Sequence, residues 1–290
     1  MKFTESINYL KQPGRQDIQE LPSRIEGFGS GQEDIKRLST SLTLDTIDGQ
    51  EVAEGSVPFR LPASDFRLLS NTGTVAERLN EIFTPLHFEE RIRLLYQYFS
   101  QREVLFTSSF GTRSAFLLHL VSQIQPSQPV HFIDTTFHFP ETYAYKQKLA
   151  GQFGLHIIDI VPDATQNRVT AEEQWWKKDP GACCMINKVL PLEAVKDHHQ
   201  VWISGLMAHQ TDFRSQLRVF ERKGDILKFH PLIDIDEGEL LYYQSYYRLP
   251  RHPLEDKGYG SVGCEHCTVM GEGRSGRWKG LAKTECGLHP

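Results

Sequence analysis

Several things are scarce in this chain, and each scarcity excludes something. No apolar run approaches the roughly 20 residues needed to cross a bilayer. The start, MKFTESINYLKQPGRQDIQE, is polar and has no apolar signal core. A membrane is therefore not an expected partner, and a cytoplasmic setting is the default expectation. There is no surplus of positive charge: the formal net charge of the 290 residues is -5. Non-specific binding to nucleic acid is disfavoured on that ground. Internal repeats and low-complexity tracts are missing. So is GxxxxGK[ST], which excludes the usual NTPase loop, and so is GxGxxG, which weighs against a dinucleotide fold. Cysteine is sparse and odd in number, five in all. The spacing is not that of a secreted disulfide framework. In a reducing compartment, clustered thiols point to metal or catalysis instead.

What remains is ordinary soluble-protein composition, 39% hydrophobic and 24% charged. The length suits one large α/β domain with an extension. Residues 1–85 read as an N-terminal extension of unknown role. Their GFGSGQED, DGQEVAEGS and LSNTGT stretches are loops and turns, and RLSTSLTLDTI is a short strand candidate. FEERIRLLYQYF, residues 88–99, has apolar residues at helical spacing.

An alternation follows. EVLFTSS, PVHFID, LHIIDIV and QVWISGL read as strands. RSAFLLHLVSQI and PETYAYKQKLAGQFG read as helices, the second with Pro140 near its start and Gly154 after it. Strand–helix alternation predicts an α/β fold, a parallel twisted sheet with helices on both faces. In such sheets ligands sit beyond the carboxyl ends of the strands. The loops at 107–113, 134–140 and 204–214 are thus the first candidates.

The loop TSSFGTRS offers Ser108, Ser109, Phe110, Gly111 and Thr112 between a strand and a helix. Small residues there let backbone N–H groups approach an anion. A serine-rich turn is equally a good N-cap, and the residues alone leave both readings open. Asp134, Thr135 and Thr136 give the second loop a similar ambiguity.

Four of the five cysteines fall in two tight pairs, Cys183–Cys184 in GACCMINK and Cys264/Cys267 in GCEHC. Four thiolates suit zinc or a [4Fe–4S] cluster. The adjacent pair is unlike the spaced pairs of zinc sites, and it needs an unusual local backbone to place both sulfurs at one centre. If CCMINKVLPLEAV is a helix, Lys188 shares a face with Cys184. A cation there would offset thiolate charge; a solvated lysine is the plainer reading. His209 and His266 read as packing groups. The fifth cysteine, Cys286, stands in the terminal KTECGLHP, where an exposed thiol is a liability without a task.

Taken together, SSFG after a strand, CC…CxxC and a terminal ECGLH resemble the assimilatory sulfonucleotide reductases over about residues 80–290. The resemblance is to the cluster-bearing branch, adenylyl-sulfate and phosphoadenylyl-sulfate reductases. It implies an adenine nucleotide alpha-hydrolase-like fold of the pyrophosphatase-loop type. Residues 86–270 would form the sulfonucleotide-binding domain and residues 271–290 a mobile tail. The resemblance implies a [4Fe–4S] cluster on Cys183, Cys184, Cys264 and Cys267. It makes Cys286 the nucleophile that takes the sulfate group as S-sulfocysteine, with His289 orienting the tail. A thioredoxin or glutaredoxin, acting in trans, would then release sulfite. Ser108–Thr112, Thr135, Lys188, Arg214, Arg274 and Arg277 are the implied contacts to adenylyl sulfate or, as the alternative, its 3′-phosphorylated form.

This sequence departs from the family pattern at three places. Met207 and Ala208 replace a basic pair, DTT replaces a DTG, and Asn187 stands where arginine is common. Two other readings are open. ATP-using enzymes of the same superfamily fit the fold, but SSFGTRS lacks their SGGKDS lysine and aspartate. A non-catalytic iron–sulfur sensor would keep the cluster and lack turnover. The cluster is expected to order the site and shape its electrostatics rather than to transfer electrons.

Overall fold

The apolar runs read as strands become neighbours in one six-stranded sheet, in a computed structural model that describes residues 74–281 and 283–288. All of these residues belong to one compact unit. In chain order, helices α1 (Thr74–Phe83) and α2 (Phe88–Tyr98) precede β1 (Val104–Thr107). Then come α3 (Ser114–Ile124), β2 (Val130–Ile133), α4 (Pro140–Phe153) and β3 (Ile157–Ile160). Short helices α5 (Ala164–Glu172), α6 (Trp175–Lys178) and α7 (Pro180–Cys184) lead into a π-helical turn, Met185–Val189, and α8 (Leu190–Lys196). After β4 (Val201–Ile203) come α9 (Asp212–Ser215), β5 (Phe220–Lys223), β6 (Ile226–Phe229) and α10 (Glu237–Tyr246).

The strand order is β3-β2-β1-β4-β6-β5. All neighbours are parallel except β5 and β6. Side chains alternate across each strand, and the alternation sorts the core into two layers. Val104, Phe106, Val130, Phe132, Val201 and Ile203 point to one face, which α1–α4 and α10 cover. Leu105 and Trp202 point to the other face, where Leu192 of α8 and Leu288 of the tail pack. Helices thus cover both faces, as the alternation requires. Gly154 ends α4 with φ +64°, a left-handed cap that a Cβ would strain.

Helices α5, α6, α9 and α10 were not foreseen, and two further unforeseen elements change the architecture. The β5–β6 hairpin turns at Gly224–Asp225, with Gly224 at φ +60°. It adds a strand parallel to β4 and a charged edge. The other is α1, which lies inside the stretch read as an extension. Val75, Leu79 and Phe83 are buried in the main core, and Phe83 packs edge-on against Phe220 and Phe229 at 4.9 and 5.8 Å. Burying one such ring is worth about 1.5–3 kcal/mol. Asn80 clips α1 to β5 by two hydrogen bonds to the Phe220 backbone, 2.8 and 2.9 Å. The boundary expected at residue 85 is therefore corrected: the α/β core includes α1. The strand candidate at 37–47 lies outside the described residues, as does His289.

Candidate active site

The carboxyl ends of β1 and β4 open into a cavity of about 300 Å³, the lower end of the range for small-molecule sites. The β1–α3 loop supplies Ser108, Ser109, Gly111 and Thr112, and the loop after β4 supplies Ser204, Gly205, His209 and Gln210. The tail closes the cavity with Glu285, Cys286 and Leu288. Phe110 is the pivot of the first loop. Its φ is +48°, its N–H donates to Ser108 Oγ at 3.1 Å, and its ring is fully buried against Phe132 at 5.6 Å. The expected contact from Phe110 is corrected on that ground: its side chain anchors the loop in the core and does not line the cavity. A left-handed non-glycine residue costs free energy and persists where the fold over-determines it.

Cations converge on this space. Lys188, Arg214, Arg274 and Arg277 all line it. Arg277 stacks on Trp278 with Cζ 4.5 Å from the ring centre. Gly263 admits that guanidinium, since a Cβ there would strike it. Arg274 Nε, Arg277 Nε and the indole N–H of Trp278 are buried without a hydrogen-bond partner among the described residues. Buried donors are rarely left unpaired. Four such atoms belong to residues lining one cavity. Three are N–H donors, which suit an anion; the fourth is His138 Nδ1, the acceptor nitrogen of a neutral ring whose Nε2 faces the Ile133 carbonyl at 3.0 Å. Burial and the nearby Arg214 lower the Arg274 pKa to about 10, with Glu285 and Cys286 opposing. Burial also holds His138, at the cavity wall, neutral, with a pKa of about 4.

A second, smaller cavity lies behind the first. Cys183, Cys184, Cys264 and Cys267 all line it. The π-helical turn follows directly on the adjacent pair; such turns are frequent at functional sites. Asn187, inside that turn, donates to the Cys183 carbonyl at 2.9 Å and toward Cys183 Sγ at 3.6 Å. Asn187 Oδ1 in turn accepts from Asn167 at 2.8 Å. Thr135 Oγ1 lies 3.3 Å from Cys264 Sγ. Thr135 thus serves this second cavity rather than the first, a correction to its expected substrate contact. His266 packs flat on Trp176, 3.9 Å between ring centres.

Burial, reinforced by the neighbouring cysteines, pushes the Cys183 thiol up to about 12 and the Cys267 thiol up to about 11. Cys264 goes the other way. Burial opposes its ionisation, but Lys188, the Thr135 hydrogen bond and Arg277 outweigh it. Four crowded thiols without a carboxylate among them call for a positively charged centre of their own. Among the described residues no group of three or more His, Cys, Asp or Glu could hold a single metal ion. The donor set fits a thiolate-bound iron–sulfur centre, which spreads its ligands around a larger body.

Lys188 lines both cavities and is 9% exposed. Burial alone would neutralise it, but the negative charge that Cys264, Cys286 and Cys184 can carry beside it favours the protonated form, its pKa above the usual lysine value. The expectation of Lys188 between the cysteine pairs and the ligand space therefore has a geometric counterpart.

Sequence reasoning missed Trp278, Glu285, Ser204 and Gln210. Trp278 had a weak signal, since it directly follows Arg277. Glu285 stood in plain view beside Cys286, but its partners are 71 and 11 residues away.

Residues 103–270 match the phosphoadenosine phosphosulfate reductase domain. The chain is 40% identical over 198 residues to an adenosine 5′-phosphosulfate reductase of Bacillus cereus (strain 03BB102), covering 65% of this chain and 85% of that protein. It is 41% identical over 197 residues to the protein of the same name from Bacillus thuringiensis (strain Al Hakam), covering 64% and 84%. Among solved structures, phosphoadenylyl-sulfate reductase from Candida auris, a phosphate complex, superposes with a TM-score of 0.57 at 25% identity. It covers 67% of this chain and 96% of that one.

Proposed function

This chain belongs to the phosphoadenosine phosphosulfate reductase family, and we propose that it reduces adenylyl sulfate to sulfite and AMP. The observation that carries the reading is the single cavity shared by Cys286 and the orphaned donors of Arg274, Arg277 and Trp278. An anionic phosphosulfate would satisfy those donors while meeting a thiol. The names of the Bacillus relatives favour adenylyl sulfate over its 3′-phosphorylated form.

In this reading the Cys286 thiolate attacks the sulfate sulfur. The sulfur–oxygen bond to the nucleotide breaks, and the electron pair leaves on the phosphate of AMP. Arg274, Arg277 and Lys188 stabilise the charge that develops there. Cys286 is left as S-sulfocysteine. A dithiol protein of the thioredoxin or glutaredoxin class then attacks Cys286 Sγ. Sulfite departs, and the second thiol of the reductant resolves the mixed disulfide, supplying the two electrons. Ser108, Ser109, Gly111 and Thr112 of the β1–α3 loop hold the nucleotide phosphate through backbone N–H groups and hydroxyls.

Cys183, Cys184, Cys264 and Cys267 would hold a [4Fe–4S] cluster. When bound, that cluster ties the two cysteine segments together and fixes the electrostatics around Lys188. Two electrons already come from the dithiol, so no electron from the cluster is needed. The setting is sulfate assimilation in the cytoplasm.

The test is sulfite release by anaerobically purified protein with thioredoxin. Adenylyl sulfate and its 3′-phosphorylated form run side by side, with Cys286→Ser as control. Turnover of adenylyl sulfate that disappears in the variant is expected. Iron-loaded wild-type protein that turns over neither nucleotide would overturn the reading and favour a sensor.

A further inference from the structure

The five cations that line the cavity are not equivalent; Arg113 is already paired with Glu237 and Glu255. Arg214 spends its fork on the protein itself. Its Nε donates to Glu285 Oε1 at 2.7 Å, one terminal nitrogen to Glu285 Oε2 at 2.8 Å, and the other to Gln210 Oε1. This is a bidentate pair, the strongest geometry available to an arginine. The two side chains are 8% and 9% exposed. Thr211 Oγ1 adds a third bond to the same carboxylate, at 3.2 Å. Arg274 is engaged more loosely. It donates to the Thr284 carbonyl at 2.8 Å and to Glu285 at only 3.3 Å, and its Nε is unpartnered among the described residues.

The tail has a second anchor beyond Cys286. Lys228 Nζ donates to the Leu288 carbonyl at 2.9 Å, and Leu288 packs on the cluster formed by Leu105 and Trp202. Gly287, at φ +83°, makes the bend between the two anchors. Cys286 is therefore held between a charged clip on one side and an apolar clip on the other.

We propose that Glu285 and Arg214 form a latch that positions Cys286 over the cavity, and that Arg214 acts on the tail rather than on substrate. Glu285 is a positioning residue. Arg274 and Arg277 remain the cations with donors to spare for the phosphosulfate group. Opening the site to a protein reductant requires the latch to break, which sets Arg214 at the step between the two half-reactions. The role in turnover rests on the reductase reading above; the latch itself does not.

Tail docking can be read without turnover. Iodoacetamide alkylation of Cys286 in the iron-loaded full chain is followed by the mass of the peptide after Lys283. Arg214→Ala, Glu285→Gln and the double variant are compared with wild type. Each single change is expected to raise the alkylation rate about tenfold or more, the factor equivalent to about 1.4 kcal/mol. The double variant should be no faster than the faster single one, because the pair acts as a unit. AMP affinity should stay within about twofold of wild type throughout, since tenfold is the 1.4 kcal/mol scale of a lost contact. In Glu285→Gln, kcat for sulfite release should fall with KM unchanged.

Weaker AMP or adenylyl sulfate binding in Arg214→Ala, with alkylation unchanged in both single variants, would make Arg214 a substrate contact and overturn the latch. Additive alkylation effects would overturn the pairing. Glu285→Gln keeps the side chain's size, so it tests the latch even where Arg214→Ala does not fold. If the alkylation pattern holds but wild type releases no sulfite, the latch stands and the reductase reading falls.

Discussion

The backbone N–H of Trp278 donates to the carbonyl of Cys267 at 3.0 Å. One hydrogen bond thus joins the CxxC segment to the residue whose indole faces the anion cavity. The two cavities share more than this. Lys188 lines both, and His138, on the wall of the first, pairs by an isolated bridge with Cys264 of the second. Disturbing the cysteine segment should therefore disturb the anion donors, with no electron passing between them.

Removing the Lys188 charge should slow the chemical step and spare the iron. Lys188→Gln is expected to lower kcat by roughly 10²–10³, the usual loss for a preorganised oxyanion donor. Iron content and visible absorbance should match wild type. Unchanged kcat would take Lys188 out of the reaction.

The indole donor can be isolated by Trp278→Phe, which keeps a ring beside Arg277. A hydrogen bond to a charged group is worth about 1.5–3 kcal/mol. That predicts a fall in kcat/KM of roughly tenfold to a hundredfold, by the same scale of 1.4 kcal/mol per decade. Wild-type kinetics would show that the Trp278 N–H meets no ligand.

Gly263→Ala aims at Arg277 without touching it chemically. The new Cβ would meet the guanidinium, which must then move. Adenylyl sulfate affinity should fall about tenfold, equivalent to 1.4 kcal/mol, while the melting temperature stays close to wild type. An equal loss of stability would mean that the glycine serves the fold instead.

Arg91 is a stability prediction remote from the chemistry. It is 2% exposed and donates to the carbonyls of Phe83, Thr84 and Pro231 and to both oxygens of Asp234. Asp234 itself is 58% exposed, so its ion pair adds little. The cost of Arg91→Ala comes from buried carbonyls left without a donor, about 1–3 kcal/mol for each. A loss on the order of 3 kcal/mol is expected from the denaturant midpoint at constant m.

His252 should make stability depend on pH. It is fully buried; the Leu254 N–H donates to its Nδ1 at 3.2 Å, so the ring proton sits on Nε2, facing Thr142 Oγ1. Protonating Nδ1 would set donor against donor. Burial lowers its pKa from 6.5 to about 4, with Glu141 opposing. A depressed folded pKa means the unfolded chain binds more protons below 6.5. The contribution is thus fully present above about pH 6.5 and is lost as the pH falls toward 4, on the order of 2–3 kcal/mol. His252→Gln should flatten the stability difference between pH 7 and pH 5. An unchanged slope would mean that His252 is not the group responsible.

The strands β1 to β4 and helices α2, α3 and α4 were legible in the sequence because their signals are local: apolar runs, helical spacing, Pro140 at one end and Gly154 at the other. The two cysteine pairs and the tail cysteine were legible as chemistry, since residue type and spacing carry it. Other features were not. The β5–β6 hairpin is short and mostly charged on its edge strand, so its pattern is weak. Helix α1 did carry a signal, Val75, Leu79, Ile82 and Phe83 at helical spacing, but it directly follows the turn-rich LSNTGT and reads with it. The π-helical turn after Cys184 continues a helical sequence, and nothing in the composition marks the change of register. Side-chain direction was the largest gap. Phe110, Thr135 and Arg214 all stood at plausible loop positions, yet one faces the core, one faces the thiols and one grips the tail. Those directions depend on partners such as Phe132, Cys264 and Glu285, far along the chain. The sequence by itself determined which groups were available to do chemistry. Only the tertiary structure decided which of them meet, because the contacts that aim them close across the sheet rather than along the chain.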